Sequence, residues 1–192
     1  MNKRPNFLDI PDISQQAVFS QFFQQTNHQV YRYIYGLTGG PTAEVEDLTA
    51  EAYARAWSAR AGFHGDFKDA IYWTLKIAKH QVIDAYRKRK SAGEPESLET
   101  YDPPTRETAP EDQVLSHERS AILWGLLQTL PEGPREMLVL RYMLDWTVGE
   151  IAKYVHKNET AVSMAIHRAL KQLQQKWPAY ETVLEPGSVL ND

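Results

Sequence analysis

The chain has 192 residues and a mass of 22.0 kDa, enough for one ordinary domain or two small ones. Hydrophobic residues make up 42% and charged residues 24%, a globular mixture that argues against general disorder. The absence of cysteine excludes disulfides, thiol catalysis and thiolate zinc sites, and the net charge of −4 argues against a protein that coats DNA by bulk charge.

The N-terminal residues 1–14 are predicted to form a tail. Pro5, Asp9, Pro11 and Asp12 interrupt any hydrophobic signal core there, so we expect no secretion signal. No apolar run in the chain approaches the roughly 18 residues that cross a bilayer. We therefore expect a cytoplasmic protein without membrane insertion.

Three amphipathic helices are predicted in residues 15–91, which we interpret as a first domain. Apolar residues recur at steps of three and four over residues 19–37, which indicates one long helix or a helix pair. Similar stripes follow over residues 45–57 and 71–86. No segment shows the alternation that predicts a β-strand.

A second helical domain is predicted over residues 115–177. Apolar residues over 122–144 indicate two helices separated at a proline. Thr147 and Glu150 then form a capping-box pattern, and Asn158 is a good N-cap for the next helix. Two helices joined by a tight turn, the second capped and followed by basic residues, indicate a helix-turn-helix.

Charge is segregated along the chain. Residues 68–90 carry a net charge of +5, residues 94–118 carry −7, and residues 153–176 carry +4. The acidic stretch is rich in proline and poor in large apolar residues, so residues 92–114 are predicted to be a flexible linker. Residues 178–192 are predicted to be a loosely ordered C-terminal tail.

Three surfaces carry the candidate functional residues. The first, the acidic docking surface, follows the second helix. It is either a solvated face whose acids favour the positive end of the helix dipole or a docking face for a basic partner. Its residues are Glu46, Asp47, Leu48, Glu51, Tyr53, Arg55 and Trp57, with Glu44 beside them.

The second, the aromatic–basic surface, follows the third helix. Cations that track phosphates and aromatic rings that replace base stacking suit a single-stranded DNA groove, whereas the alternative is core aromatics followed by a basic last turn. Its residues are Tyr72, Trp73, Lys76, Lys79, His80, Gln81, Asp84, Arg87, Lys88 and Arg89.

The third, the recognition surface, is the outward side of the predicted recognition helix. It suits base edges and phosphates in a major groove, and the alternative is a solvated helix of a protein-binding bundle. Its residues are Asn158, Glu159, Thr160, Ser163, Met164, His167, Arg168 and Lys171.

No residue pattern indicates catalysis. The six histidines show no metal-ligand spacing with each other, and the sequence contains no phosphate-cradling glycine loop and no nucleophile elbow. We therefore predict no catalytic residue, no metal and no cofactor, and we expect that the protein is not an enzyme.

Two blocks of sequence resemble parts of one known family. EDLTAEAYARAW at residues 46–57, followed by residues 71–90, resembles region 2 of bacterial sigma-70 factors, and residues 126–174 are similar to their region 4. Two such blocks with only a linker between them resemble the extracytoplasmic-function (ECF) group. The resemblance implies an all-α protein of two small helical domains joined by a flexible acidic linker.

The resemblance also implies a function, that of a sigma factor that directs core RNA polymerase to promoters and promotes strand opening. The acidic docking surface would meet the β′ clamp helices, and the β flap would be a further polymerase contact. The aromatic–basic surface would hold the non-template strand of the −10 element, and the recognition surface would read the −35 element. Many relatives are held by an anti-sigma partner.

Three positions and one short segment depart from the family pattern and bear on promoter preference. Ala50 stands where glutamine is frequent, His80 where asparagine is frequent, and His156 where a glycine commonly closes a helix. The recognition helix is also less basic than usual at residues 163–165. Two alternative functions remain: a stand-alone helix-turn-helix regulator, and an interaction module that mimics a sigma factor.

Overall fold

The computed structural model describes residues 13–92 and 123–184, and these two segments contain helices and no strand. The helices are α1 (Gln16–Thr38), α2 (Thr42–Ala59), a 3₁₀ turn (Arg60–Gly62), α3 (Phe67–Ala92), α4 (residues 123–128), α5 (Glu132–Leu138), a π-helical turn (Val139–Met143), α6 (Val148–Val155) and α7 (Glu159–Leu184). The chain divides into two compact units, one containing α1–α3 and the other α4–α7. The all-α, two-domain prediction is therefore confirmed.

The element ends differ from the predicted segment boundaries in two places. Helix α3 ends at Ala92, the first residue of the predicted linker, and the rest of that linker (residues 93–114) lies outside the described residues. Helix α7 continues to Leu184, so its last turns extend into the predicted tail at 178–192. None of the described helices is both long enough and apolar enough to cross a membrane.

The core of the first unit is built around the ring of Phe22 on α1. Its centroid lies 5.8 Å from that of Phe19, 6.1 Å from Tyr53 on α2 and 5.5 Å from Phe67 on α3. The rings of Tyr53 and Phe67 meet it edge to face, the arrangement that aromatic quadrupoles favour. One continuous stripe on α1 thus packs against both other helices, which explains why residues 19–37 form one helix.

Arg60, which follows α2, connects the end of this helix to Ser14. Its guanidinium lies 3.3 Å from the centroid of the Trp57 ring, and its Nε donates to the Ser14 carbonyl at 3.0 Å. A guanidinium over an indole contributes about 0.5–1 kcal/mol at an exposed site and more when desolvated. The contact also covers one face of Trp57.

The second unit contains the predicted helix-turn-helix. The capping box is confirmed: the Thr147 hydroxyl accepts from the Glu150 N–H, and the Thr147 N–H donates to the Glu150 carboxylate at 2.8 Å. The Asn158 side chain caps α7 by accepting from the Ala161 N–H at 2.7 Å. Both caps satisfy helix N–H groups that otherwise have no intrahelical partner.

The helix predicted to run to Leu144 widens into a π-helical turn at its end. The Leu144 N–H donates to the Val139 carbonyl at 3.3 Å, and the Trp146 N–H reaches back to the Leu140 carbonyl at 3.1 Å. Arg141 donates to the Trp146 carbonyl at 2.8 Å. These bonds return the chain so that the indole of Trp146 packs edge to face on Tyr154 of α6, with centroids 5.5 Å apart.

Helix α6 ends in a Schellman motif with histidine in the left-handed position. His156 has φ 55° and ψ 46°. The Lys157 N–H donates to the Ala152 carbonyl at 2.9 Å, and the His156 N–H contacts the Lys153 carbonyl at 3.4 Å. A residue with a Cβ is strained in this conformation by roughly 1–2 kcal/mol, whereas glycine is not.

We expect His156→Gly to stabilise the α6–α7 pair by about 0.5–1 kcal/mol, because the strain is relieved at some cost in unfolded-chain entropy. His156→Ala keeps the Cβ and is the matched control, which we expect to be less stable than the glycine variant by about 1 kcal/mol. Hydrogen-exchange protection of the α6 and α7 amides measures both. Equal protection in the two variants would contradict the left-handed conformation.

Candidate protein and nucleic-acid interfaces

The exposed side of α2 carries the charged residues of the acidic docking surface. Glu46, Asp47, Glu51 and Arg55 are all exposed, and their spacing keeps them on one side of the helix. Arg55 forms an ion pair with Glu51 at 2.7 Å. Because both side chains are solvated, the pair adds little stability, and the surface remains net acidic.

Three apolar residues assigned to the acidic docking surface are buried or half-buried. Leu48 is 7% exposed and Tyr53 is 4% exposed, so both belong to the core between the helices. Trp57 is half-buried and lies beneath the guanidinium of Arg60. The assignment of Leu48 and Tyr53 to polymerase binding stays a prediction, and the structure places both side chains in the core of the unit. They lie on the inward stripe of α2, from which they position the exposed carboxylates.

Tyr53 is held by a buried chain of hydrogen bonds. The Thr26 hydroxyl donates to the Phe22 carbonyl at 2.6 Å, which uses its one proton. The Tyr53 hydroxyl, 2.7 Å from the Thr26 oxygen, is therefore the donor in the second bond. Burial raises the pKa of the Tyr53 hydroxyl well above its usual value, and the bond to Thr26 lowers it by a smaller amount.

A groove of about 420 Å³ between α1 and α2 adjoins the acidic docking surface and was missed from the sequence. The α1 side chains that line it are Phe23, Asn27, His28 and Tyr31, and the α2 side chains are Glu46, Thr49 and Ala50. Phe23 is 39% exposed and packs edge to face on Tyr53. Because Phe23 continues the apolar stripe of α1, the sequence pattern assigned it to the core.

The aromatic–basic surface is partly exposed. Lys76, His80, Asp84, Arg87 and Lys88 are exposed, whereas Tyr72, Trp73, Lys79 and Arg89 are half-buried.

Trp73 has a ring partner that sequence analysis missed. The rings of Trp73 and Phe63 lie 5.0 Å apart at an angle of 31°. Phe63 belongs to the loop that follows the 3₁₀ turn, which the sequence marked only as a break between helices. The loop therefore contributes to the same surface as the start of α3.

The loop is held to α3 by a reciprocal pair of aspartates. The Asp69 N–H donates to Asp66 at 2.8 Å, and the Asp66 N–H donates to Asp69 at 3.1 Å. A Cβ on Gly65 would lie 2.7 Å from Asp69 Cβ and 3.0 Å from the Phe63 ring. Glycine at this position therefore permits the close approach that holds Phe63 beside Trp73.

Gln81 is the one assigned residue of the aromatic–basic surface that the structure buries. It is 3% exposed, and its Nε2 has no hydrogen-bond partner among the described residues. It lies on the inward stripe of α3 with Ala78. Its assignment to DNA binding stays a prediction, and the structure places its side chain in the core, as it does that of Leu48.

Ion pairs hold two arginines of this surface. Arg89 donates to Glu44 of α2 at 2.8 Å, across 45 residues of sequence. Arg87 lies 4.0 Å from Asp84, one turn away on the same helix. The pair between Arg89 and Glu44 connects the end of the basic helix to the start of the acidic one.

The recognition surface is exposed throughout. Asn158, Glu159, Thr160, Ser163, Met164, His167, Arg168 and Lys171 all face solvent, while Val162, Ile166 and Ala169 are buried on the opposite side of α7. Glu159 lies at the edge of this surface, because its carboxylate oxygen comes within 3.1 Å of an ideal Cβ position on Gly149. No group of metal-ligating side chains occurs in the part of the chain that the structure describes.

Both units match one family. Residues 22–92 match the family described as Sigma-70 region 2, and residues 120–173 match Sigma-70, region 4.

Several curated proteins are similar over most of this chain. The ECF RNA polymerase sigma factor BldN of Streptomyces coelicolor is 32% identical over 160 residues, covering 83% of this chain and 60% of BldN. SigX of Bacillus subtilis, also an ECF sigma factor, is 27% identical and covers 81% of each chain. The ECF sigma factor ShbA of Streptomyces griseus is 32% identical, covering 72% of this chain and 74% of ShbA.

Two solved structures share the fold. CnrH, in complex with the cytosolic domain of CnrY, has a TM-score of 0.61 and 23% identity, covering 86% of this chain and 90% of CnrH. RpoE of Bartonella quintana, in complex with the anti-sigma factor NepR, has a TM-score of 0.60 and 15% identity, covering 82% of this chain and 94% of RpoE.

We expect Tyr53→Phe to lower the free energy of unfolding by about 1 kcal/mol at neutral pH, because the buried bond to Thr26 is lost. The pKa of the Tyr53 hydroxyl is higher in the folded state than in the unfolded state. This hydroxyl therefore contributes its full stabilisation below the ordinary tyrosine pKa of about 10, and the contribution falls as the pH rises further. The difference in the free energy of unfolding between wild type and Tyr53→Phe should therefore narrow above pH ~10. Urea unfolding at a series of pH values measures this difference.

The exposed Tyr142 provides the control for this substitution. Tyr142→Phe should leave the stability at neutral pH unchanged. A Tyr53→Phe variant as stable as wild type at pH 7 would contradict the buried hydrogen bond.

Proposed function

Because this chain belongs to the sigma-70 family and, within it, to the ECF RNA polymerase sigma factors, we propose a role for each of its three surfaces in directing core RNA polymerase to promoters. The acidic docking surface binds the polymerase, the aromatic–basic surface binds the opened −10 element, and the recognition surface binds the −35 element. The observation that carries the proposal is that most of the charged residues assigned to these surfaces are exposed beside buried apolar stripes.

Docking to polymerase is supported by charge and by shape. The exposed carboxylates of Glu46, Asp47 and Glu51 suit a basic partner such as the β′ clamp helices, since opposite charges speed and orient encounter. The adjoining groove with Phe23 offers apolar area that carboxylates alone lack. Together they form a polar surface with a hydrophobic anchor point.

Strand opening would be driven by binding energy alone. Stacking a base on an aromatic side chain contributes roughly 1–3 kcal/mol, and extruding a base costs a few kcal/mol. Two kinds of contact are needed, an aromatic ring for base stacking and cations for phosphates. The aromatic–basic surface offers the ring of Trp73, which packs against Phe63, and the cations of Lys76, Arg87 and Lys88. The proposal assigns no catalytic step to this chain.

The second unit would position the complex on duplex DNA and contact the β flap. Arg168 and Lys171 suit phosphates, and the exposed first turns of α7 suit base edges in the major groove. With so few cations, the free factor should bind DNA weakly, so that promoter affinity depends on core polymerase. The two functional domains are proposed as residues 15–91 and 115–177, joined by the linker at 92–114.

An anti-sigma partner is a further part of the proposal. CnrH and RpoE, which share this fold, were each solved with a partner, CnrY and the anti-sigma factor NepR. A partner that covers the acidic docking surface would prevent polymerase binding and keep this chain inactive in the cytoplasm.

Run-off transcription from a pool of random promoters, with core polymerase and with or without this chain, tests the central proposal. Transcripts that require the chain, together with permanganate-reactive thymines near the start site, are expected. Tight duplex binding without polymerase would instead favour a stand-alone regulator, and polymerase binding without strand opening would favour an interaction module.

The double variant Glu46→Gln/Asp47→Asn should weaken core-polymerase binding by about tenfold, mainly through a slower association rate at low salt. Gln21→Lys/Gln24→Lys on the exposed part of α1 changes the net charge by the same amount and is the matched control. Fluorescence anisotropy with labelled chain measures both. Equal losses in the two variants would show that only overall charge matters.

Trp73→Ala should lower open-complex formation by roughly 5- to 150-fold, which corresponds to the stacking of one base. Trp73→Phe retains a ring and should recover most of the activity. Permanganate reactivity measures opening, and retention on duplex promoter at low temperature measures closed-complex binding, which should not change. Equal opening by the alanine and phenylalanine variants would contradict the stacking role.

A further inference from the structure

One large apolar side chain lies at the centre of the recognition surface. Met164 is 48% exposed, whereas Val162 and Ile166 of the same helix are buried. At 3.6 residues per turn, Met164 lies about 200° around the helix from each of them, directly away from the core. Packing within its own unit therefore does not account for a methionine here.

The neighbours of Met164 on this face are polar or basic. Thr160 lies one turn before it, and His167, Arg168 and Lys171 lie one and two turns after it, all exposed. Arg168 and Lys171 match the charge of DNA phosphates, which would flank a helix seated in the groove. Met164 is then an apolar contact within a rim of positive charge.

The chemistry of a thioether limits what Met164 can recognise. It has no hydrogen-bond donor and is only a weak acceptor, so it cannot distinguish bases through their polar edges. The apolar group that the major groove presents is the C5-methyl of thymine. Cytosine has no such methyl, and its amino donor would find only a weak acceptor in the Met164 sulfur.

We propose that Met164 contacts the C5-methyl of one thymine in the −35 element and makes this chain select thymine over cytosine at that position. This inference rests on the proposed function of α7. Sequence preference at this position would come from an apolar contact, on a helix whose residues 163–165 carry no basic side chain.

Deoxyuridine substitution tests the contact, because deoxyuridine keeps the polar edge of thymine and lacks only the methyl. The −35 element is first defined with the full chain and core polymerase on a random promoter pool. Each −35 thymine, on either strand, is then replaced singly, and open-complex formation is measured at subsaturating holoenzyme. At one position we expect a loss of about fourfold, as for one buried methyl group.

Two variants identify the side chain responsible. Met164→Ala should form open complexes equally on the thymine and deoxyuridine promoters at that position. Lys171→Ala should lower opening on both promoters and retain the ratio between them, since a phosphate contact carries no base information.

The inference is overturned if the −35 element contains no thymine, if no thymine is sensitive to loss of its methyl, or if the sensitivity persists in Met164→Ala. In each case opening of pool promoters would still support the proposed function. Failure of the chain and core polymerase to open any promoter would instead refute the proposed function, and the inference with it.

Discussion

The burial of one face of each helix determines where most charged side chains of the described residues lie. In the first unit, Phe22 of α1 contacts rings on α2 and α3 at once, which fixes the rotation of both helices. In the second, the buried Val162 and Ile166 place one side of α7 in the core. Most of the described carboxylates, lysines and arginines then face outward because 3.6 residues per turn place them away from the buried stripes, whereas Glu136 is buried.

Much of this organisation could be predicted from local sequence. The spacing of apolar residues predicted α1, α2, α3 and the helix-turn-helix. The capping residues Thr147 and Asn158 predicted the starts of two helices, since these signals act within one turn of the chain. The exposure of the residues assigned to the outward side of α7 was also predicted, because Val162, Ile166 and Ala169 mark the buried side. Family resemblance supplied the function, which periodicity alone could not.

The features that local sequence did not predict have a common physical origin. Leu48, Tyr53 and Gln81 were assigned by their place in a motif, although their angular position on the helix directs them into the core. The ion pair between Glu44 and Arg89 and the stacking of Phe63 on Trp73 depend on how separate elements meet, which no local pattern encodes. The same holds for the groove beside Phe23, whose second wall comes from another helix.

The exposed hydroxyl of Ser163 has a practical consequence for a chain without cysteine. Replacing its oxygen with sulfur changes the volume little and gives the whole polypeptide a single thiol. A fluorophore, a spin label or a photocrosslinker attached there would stand beside Met164 on the outer side of α7. The chain therefore accepts a site-specific reporter without the prior removal of a native cysteine.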